Sequence, residues 1–418
     1  MREVYADHAA TTPLAPEVAA AMRPFLGERY GNASSVHRRG EAARDAVEAA
    51  REAVADLIGA TPEEMVFTAS GSESNNLALK GVLAGAGRER RRLVVSAIEH
   101  PSVLETARHL EANGVPLTLV PVGPDGIVDV GRLRSAVGAD VALVSVMWVN
   151  NETGCIQPVA EIAAIAHAAG ALFHCDAVQA AGKLPIRVKE AGADLLSLAA
   201  HKLHGPPGAA ALYVRRRVRL VPLVHGGHQE RSRRAGTENL AALVGFGAAV
   251  RLAAARLEAE EPRRLARLGE RLRAGLTAAI PEARLNGDLE RRLASVVNLC
   301  FAGVDGEAVL HELDRCGITV STGSACSAAS PGPSHVLTAM GLRPEDAHAS
   351  VRFSLGAGND EDQVDHILEA TPPVIERLRA LAGSGHADED GAPDPGRVAS
   401  RPGAAGRSAL RGAERTGT

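Results

Sequence analysis

From Met65 onward the chain repeats one pattern: a short apolar run, a polar stop, then a segment of helical length. Met65-Val-Phe-Thr68 runs into Ala69-Ser-Gly-Ser-Glu-Ser-Asn-Asn76, with a helix predicted over 77–83. The run at 93–98 stops at Glu99-His100-Pro101, and the run at 141–149 stops at Asn150-Asn-Glu-Thr-Gly154. Ala171-Leu-Phe-His-Cys175 stops at Asp176-Ala-Val-Gln179. Asp194-Leu-Leu-Ser-Leu198 leads to His201-Lys202 and is halted by Gly205-Pro206-Pro207. Apolar strands separated by helix-length segments predict βαβ units and a mainly parallel sheet. In such sheets ligands bind beyond the carboxyl ends of the strands.

Five strand ends therefore set Ser72, His100, Asn151, Asp176 with Gln179, and Lys202 along one rim. Singly, each has an ordinary explanation. A lone lysine at a strand exit usually snorkels to water, and a lone histidine or aspartate there is usually structural. The turn before Gly71 and Ser72 can cradle a phosphate at a helix N-terminus, or Ser70-x-x-Glu73 can simply be a capping box. Together they supply a phosphate cradle, an imidazole, amides, a carboxylate and an amine. Pyridoxal phosphate requires that set, since a desolvated lysine amine can hold its aldehyde and a carboxylate keeps its ring nitrogen protonated.

Upstream, Tyr5-Ala-Asp-His-Ala-Ala-Thr-Thr-Pro13 is polar and turn-rich, and helices are predicted over 16–25 and on to 58. Between them lies Gly31-Asn-Ala-Ser-Ser-Val-His37. It reads equally as a helix N-cap at Ser34 or Ser35 or as a loop presenting Asn32 to a ligand. Downstream, a strand over 211–214 precedes the glycine-rich, strongly charged stretch 225–239, which reads as a functional or interface loop outside the core. Helices over 240–280 lead to a strand at 294–301, a helix at 306–316 and a strand at 318–321. A strand at 351–355 puts Arg352 beside an apolar face, where a guanidinium can grip a substrate carboxylate. A helix over 360–381 closes the fold. The residues from 383 on lack periodicity and read as a disordered tail.

Composition narrows this picture. A length of 418 residues suggests two or three domains, and a net charge of −4 with 23% charged residues calls for neither nucleic acid nor a membrane surface. Aromatics make up 2%, so Ala, Val, Leu and Ile must build the core. The N-terminus lacks a signal-peptide h-region, and the longest apolar runs look too short to cross a bilayer. Five scattered cysteines suit a reducing cytoplasm. Cys155, Cys175, Cys300 and Cys316 lie in or beside apolar elements and read as buried hydrophobes. Cys326 stands instead in Thr322-Gly-Ser-Ala-Cys-Ser-Ala-Ala-Ser-Pro-Gly-Pro-Ser334, a stretch of small residues, and reads as a reactive thiol on an exposed loop. No Cys/His cluster suggests a metal.

These stretches, in this order and over roughly residues 3–380, resemble the NifS/IscS-type cysteine desulfurases, pyridoxal-phosphate enzymes of the aminotransferase class V group. Ser321–Ser327 followed by Pro333-Ser-His-Val-Leu337 and the motifs at 70–76, 99–100, 149–154, 176–179, 201–202, 234–239 and 351–356 carry the likeness. The resemblance implies a type I PLP-dependent transferase fold of class α/β. A large domain over 14–255 would hold a mainly parallel seven-stranded sheet between helices. A smaller α+β domain would take 1–13 and 256–382, leaving 383–418 as the tail.

It implies roles too. Lys202 would carry the cofactor and act as base, Asp176 would meet the ring nitrogen, and His100 would stack on the ring and move protons at sulfur. Asn151 and Gln179 would bond near the phenolic oxygen. Gly71, Ser72 and His201 would bind the phosphate, with Thr237 from the other subunit of a homodimer. Arg352, Asn32 and Asn151 would hold the carboxylate of L-cysteine. Cys326 would take the sulfur as a persulfide for an acceptor protein, such as an iron–sulfur scaffold or a thiolation enzyme. Ala199 stands where the family usually has a phosphate-binding hydroxyl, Ala357 where it usually has Arg, and His228 where a third glycine is common. Selenocysteine lysis or another class V lyase reaction is the alternative activity, and a non-catalytic scaffold the remote one.

Overall fold

The computed structural model describes residues 3–87, 89–322 and 332–387. Its strands in chain order are β1 (Val4–Tyr5), β2 (Met65–Thr68), β3 (Arg92–Ser96), β4 (Leu117–Val120), β5 (Val141–Ser145) and β6 (Leu172–Asp176). They continue with β7 (Leu195–Ala199), β8 (Ala210–Val214), β9 (Ala283–Leu285), β10 (Val296–Phe301), β11 (Ile318–Thr319) and β12 (Ser350–Ser354).

Seven strands form the main sheet in the order β2-β8-β7-β6-β5-β3-β4. β8 runs antiparallel to both neighbours, and the rest of the ladder is parallel. The expected mainly parallel sheet is therefore present. Strands β2, β5, β7 and β8 are buried along their whole length, which is why they read as unbroken Val, Leu and Ala runs. β4 was not foreseen. It is an edge strand, only partly covered, so Leu117-Thr-Leu-Val120 carries a weak apolar signal. The run at 141–149 is also shorter as a strand than expected, because β5 ends at Ser145 and Val149 makes an isolated bridge to Ile156.

Helices Arg38–Ile58 and Leu240–Glu258 lie side by side over one face of this sheet. Their approach is close at Gly247, where a Cβ would stand 2.8 Å from Ala50 Cα. Leu240–Glu258 is long and apolar enough to cross a membrane by length and composition, contrary to the expectation that no run would be. Ala242, Leu243, Phe246, Ala249 and Val250 from it are buried in the core, which accounts for that apolarity.

A second core forms around the antiparallel sheet β12-β10-β9 and the parallel pair β1-β11. Helices Glu261–Ala279, Gly306–Arg315 and Glu361–Ala387 cover it. Val4 pairs with Ile318 and Tyr5 with Thr319, so the N-terminal strand belongs to this unit although the sheet that follows it does not.

Two expectations need correction. The charged stretch 225–239 does reach the interior: Glu230 is buried and forms a forked ion pair with Arg51, Oε2 to Nη1 at 2.6 Å and Oε1 to Nη2 at 2.9 Å. Glu230 Oε2 also accepts the Phe67 N–H at 2.8 Å, so a carboxylate locks this loop onto β2. The final helix continues to Ala387, past the boundary expected at 383. Residues 388–418 lie outside the described residues.

Candidate active site

β7 is followed by a single 3-10 turn, Ala200–Lys202, which carries the lysine off the sheet end. Lys202 Nζ donates to the Ala9 carbonyl at 2.7 Å and to the Ala10 carbonyl. Those carbonyls belong to the polar N-terminal stretch after β1, so the second unit reaches across to the lysine. Gln179 Nε2 donates to the same Ala9 carbonyl at 2.8 Å. Thr12 Oγ1 donates to the His201 carbonyl at 2.8 Å, and Thr11 Oγ1 lies 3.2 Å from His201 Nδ1. Burial lowers the His201 pKa to about 4, with Lys202 adding to the effect, so the ring is neutral near pH 7.

A cavity of about 250 Å³ opens in front of Lys202. Gly71, Ser72, His100, Asn151, Asp176 and Gln179 line it, joined by His201, Ala199 and Arg352. The strand ends thus bring together the rim residues expected from the sequence. Cys326 lies outside the described residues. Asn32 is not in the cavity: it is exposed, and its Oδ1 caps the Ser34 N–H at 2.9 Å. Neither reading of that loop is realised within this chain: the helix Arg38–Ile58 is capped by His37, whose Nδ1 accepts the Gly40 N–H at 3.2 Å, and the Asn32 amide oxygen is used in a local turn. Thr237 is exposed and also outside the cavity of its own chain.

Asp176 ends β6 and is 5% exposed. Its Oδ1 accepts the Val178 N–H at 3.0 Å and its Oδ2 accepts Asn75 Nδ2 at 2.7 Å. Among the described residues no cation pairs with it. Asn75 Nδ2 also donates to Ser102 Oγ at 2.9 Å, and Ser102 Oγ lies 2.8 Å from His100 Nδ1. The Ser102 N–H donates to the same Nδ1 at 3.1 Å, since His100 caps the helix Pro101–Ala112. The neutral ring therefore carries its proton on Nε2. Burial lowers the His100 pKa, opposed by the Asp176 charge and aided by Lys202 and His335.

Asn75 and Ser102 were missed from sequence. Asn75 was findable, because Gly71, Ser72 and Asn75 share one face of the helix Gly71–Gly85. Ser102 gave only its place two residues after His100.

The helix Gly71–Gly85 is capped by Ser70, whose Oγ accepts the Glu73 N–H at 3.0 Å; the reciprocal half of the expected capping box is displaced by one residue, since Glu73 Oε2 accepts the Ala69 N–H at 2.8 Å. This does not exclude a phosphate. The first N–H groups of a helix have no intrahelical acceptor, and Gly71 and Ser72 border the cavity. At Gly71 a Cβ would sit 3.1 Å from Val178 Cγ2, so a larger residue there would need Val178 to shift by a few tenths of an ångström.

Arg352, on β12, is 2% exposed and comes from the second unit. Its Nη2 pairs with Asp7 Oδ1 at 2.6 Å and its Nη1 donates to the Asn151 carbonyl at 2.8 Å. Its Nε is buried without a partner among the described residues.

Pyridoxal phosphate fits this donor set. The Gly71–Ser72 helix start and His201 would hold the phosphate, the unpaired buried Asp176 carboxylate the protonated ring nitrogen, and Lys202 the aldehyde carbon. His100, Asn151 and Gln179 stand around the remaining cavity wall.

The comparisons agree with the geometry. The family model "Aminotransferase class-V" matches residues 4–367. A cysteine desulfurase IscS of Methanosarcina thermophila is 46% identical over 382 residues, covering 91% of this chain and 94% of the relative. One of Dictyoglomus turgidum is 44% identical over 381 residues, covering 91% and 96%. A solved NifS-like protein superposes with a TM-score of 0.85 at 36% identity, covering 90% of this chain and all of the other. The chain belongs to the aminotransferase class-V family of pyridoxal-phosphate enzymes, in its NifS- and IscS-like branch.

Proposed function

We propose that the protein is a cysteine desulfurase that converts L-cysteine to L-alanine and passes the sulfur to Cys326 as a persulfide. The observation that carries this reading is Lys202 in one cavity with Asp176, His100 and Arg352. Held at Lys202, pyridoxal phosphate supplies the electron sink that stabilises negative charge at the substrate Cα.

The chain's own residues do the rest. Arg352 and Asn151 bind the substrate carboxylate and thereby orient the Cα–H bond. Lys202 Nζ takes the Cα proton. His100, neutral with its proton on Nε2, moves a proton at the substrate sulfur. The Cys326 thiolate attacks that sulfur, the Cβ–S bond breaks, and Cβ gains a proton. L-cysteine and a thiol thus become L-alanine and a persulfide, in balance.

An acceptor protein then takes the sulfur, an iron–sulfur scaffold or a thiolation enzyme. We further place the protein in the cytoplasm as a homodimer, in which the exposed Thr237 of one subunit completes the phosphate site of the other. The free thiols of Cys155, Cys175, Cys300 and Cys316 suit that compartment.

The test is alanine and sulfide release from L-cysteine with a thiol reductant, for wild type, Lys202→Ala and Cys326→Ser. Lys202→Ala should lose the cofactor colour and all turnover. Cys326→Ser should keep the colour and form no persulfide. Full turnover by Cys326→Ser would instead favour a lyase such as one acting on selenocysteine.

A further inference from the structure

On the far side of Lys202 from the cofactor cavity lies a second cavity of about 280 Å³, between the main sheet's helices and the second unit. At about 30 Å³ per water in the liquid it has room for roughly nine non-hydrogen atoms. Leu184, Leu203, Leu265, Leu293 and Leu355 make much of its wall, which is predominantly apolar. Lys202 borders both cavities.

The charged groups on this wall do not balance. Arg292 is answered by Glu270 at 3.2 Å and Arg263 by Glu260 at 2.5 Å. Arg256 stands 3.6 Å from Glu261, the wall's one carboxylate among the described residues. Lys183 is left over. Its Nζ donates to Gln179 Oε1 at 2.7 Å, and among the described residues it forms no ion pair. Beyond burial, the charges that act on it, Lys202 and Arg352, are both like its own. Lys183 is half-buried beside an apolar wall, where a partly desolvated cation gains from an anion next to it. A second polar group on the same wall is also unmatched: among the described residues His8 Nδ1 is buried without a hydrogen bond. Gly356 makes room for that ring, since a Cβ there would fall 2.3 Å from His8 Nδ1.

We propose that this second cavity binds a small aliphatic carboxylate, whose anionic end pairs with Lys183 and whose apolar body packs on the leucine wall. The occupant is distinct from the amino acid held by Arg352, and the site does not depend on which reaction the first cavity performs. It is wired to the reacting amine. Lys183 holds Gln179, Gln179 donates to the Ala9 carbonyl, and that carbonyl accepts Lys202 Nζ.

The experiment is calorimetric titration of the cofactor-loaded full chain with 4-methylpentanoate and, separately, with the neutral 4-methylpentanamide. Cofactor absorbance checks that each variant is folded. Saturable binding at one site per chain is expected, weakened at least about tenfold for the amide and for Lys183→Met, about 1.4 kcal/mol or more. Ala266→Phe, which fills the cavity without touching a charge, should abolish binding. Arg352→Met should leave it within about twofold of wild type. Absence of saturable binding, or equal binding by Lys183→Met or Ala266→Phe, overturns the proposal. So does loss of binding in Arg352→Met alone, which would place the carboxylate in the first cavity.

Discussion

The Asn75 side-chain amide gives one hydrogen to Asp176 Oδ2 at 2.7 Å and the other to Ser102 Oγ at 2.9 Å. Through Ser102, the carboxylate that meets the cofactor's ring nitrogen is linked to the imidazole of His100. Ser102 Oγ can donate to His100 Nδ1 because it accepts from Asn75, so the chain of bonds has one direction. Ser102→Ala should leave the helix cap, which uses the backbone N–H, and remove this donor together with the acceptor for Asn75 Nδ2. We expect a fall in kcat of about fivefold with KM little changed, matching the loss of about 1 kcal/mol, and recovery in Ser102→Thr. Steady-state kinetics on the three proteins checks it.

Ala199 borders the cofactor cavity at the end of β7, with its Cβ 3.6 Å from where a Gly71 Cβ would stand. A hydroxyl at this place faces the helix start that cradles the phosphate. Ala199→Ser should tighten pyridoxal phosphate binding by about tenfold or more, since a hydrogen bond to a charged group contributes about 1.5–3 kcal/mol. Reconstitution of the cofactor-free protein, followed by absorbance, measures the two dissociation constants. Equal constants would show that the phosphate lies away from residue 199.

Glu99 precedes His100 and is wholly buried, its Oε1 accepting Ser96 Oγ at 2.5 Å and the Met147 N–H at 2.7 Å. Burial pushes its pKa up to about 8, against the opposing effect of those two bonds. Between the ordinary carboxylate value near 4.5 and about 8 the folded protein keeps a proton that the unfolded chain has released. Stability from this group is thus full below that range and falls as pH rises through it, by up to about 1.4 kcal/mol per pH unit. Glu99→Gln holds a neutral side chain at every pH and should lose this slope. Urea midpoints at pH 5.5 and 7.5 should move further apart for wild type than for the variant. Parallel shifts would mean that Glu99 is ionised in the fold.

Glu230 and Arg51 are nearly solvent-free partners, at 2% and 4% side-chain exposure. Glu230→Ala leaves the buried Arg51 guanidinium only the half-exposed Glu48, 3.0 Å from its Nε, as an anion, and should cost up to about 3–5 kcal/mol in chemical denaturation. The double replacement Arg51→Met with Glu230→Leu should cost less than the single one, because no charge is left uncompensated.

Much of the fold was legible because burial on both faces of a parallel sheet forces unbroken apolar runs. β3, β5, β6 and β7 announced themselves that way, and each led to a residue whose chemistry made no sense in a core. β4 was hidden because an edge strand with one open face needs few apolar residues. Asn32 was equally readable as a cap or as a ligand group. It became neither, because the Ser34 N–H two residues away lies within reach of its own side chain and closes a local turn, while His37 took the helix cap. The loop around Glu230 read as polar throughout, and one carboxylate in it proved to be buried. A charge reaches the interior only where a partner waits, and Arg51 is far off in the sequence.

The sequence by itself determined the strand order of chemistry: a phosphate-binding turn, an imidazole, amides, a carboxylate and an amine, each at a carboxyl strand end. Those are local consequences of period and punctuation. The tertiary structure decided the rest. It brought the Ala9 carbonyl, from the far end of the chain, onto Lys202 Nζ. It aimed Arg352 of the second unit into the cavity of the first, and among the described residues it left Lys183 without an anion beside an apolar chamber. Such relations depend on how two separately cored units pack, and packing between units leaves no period in the sequence.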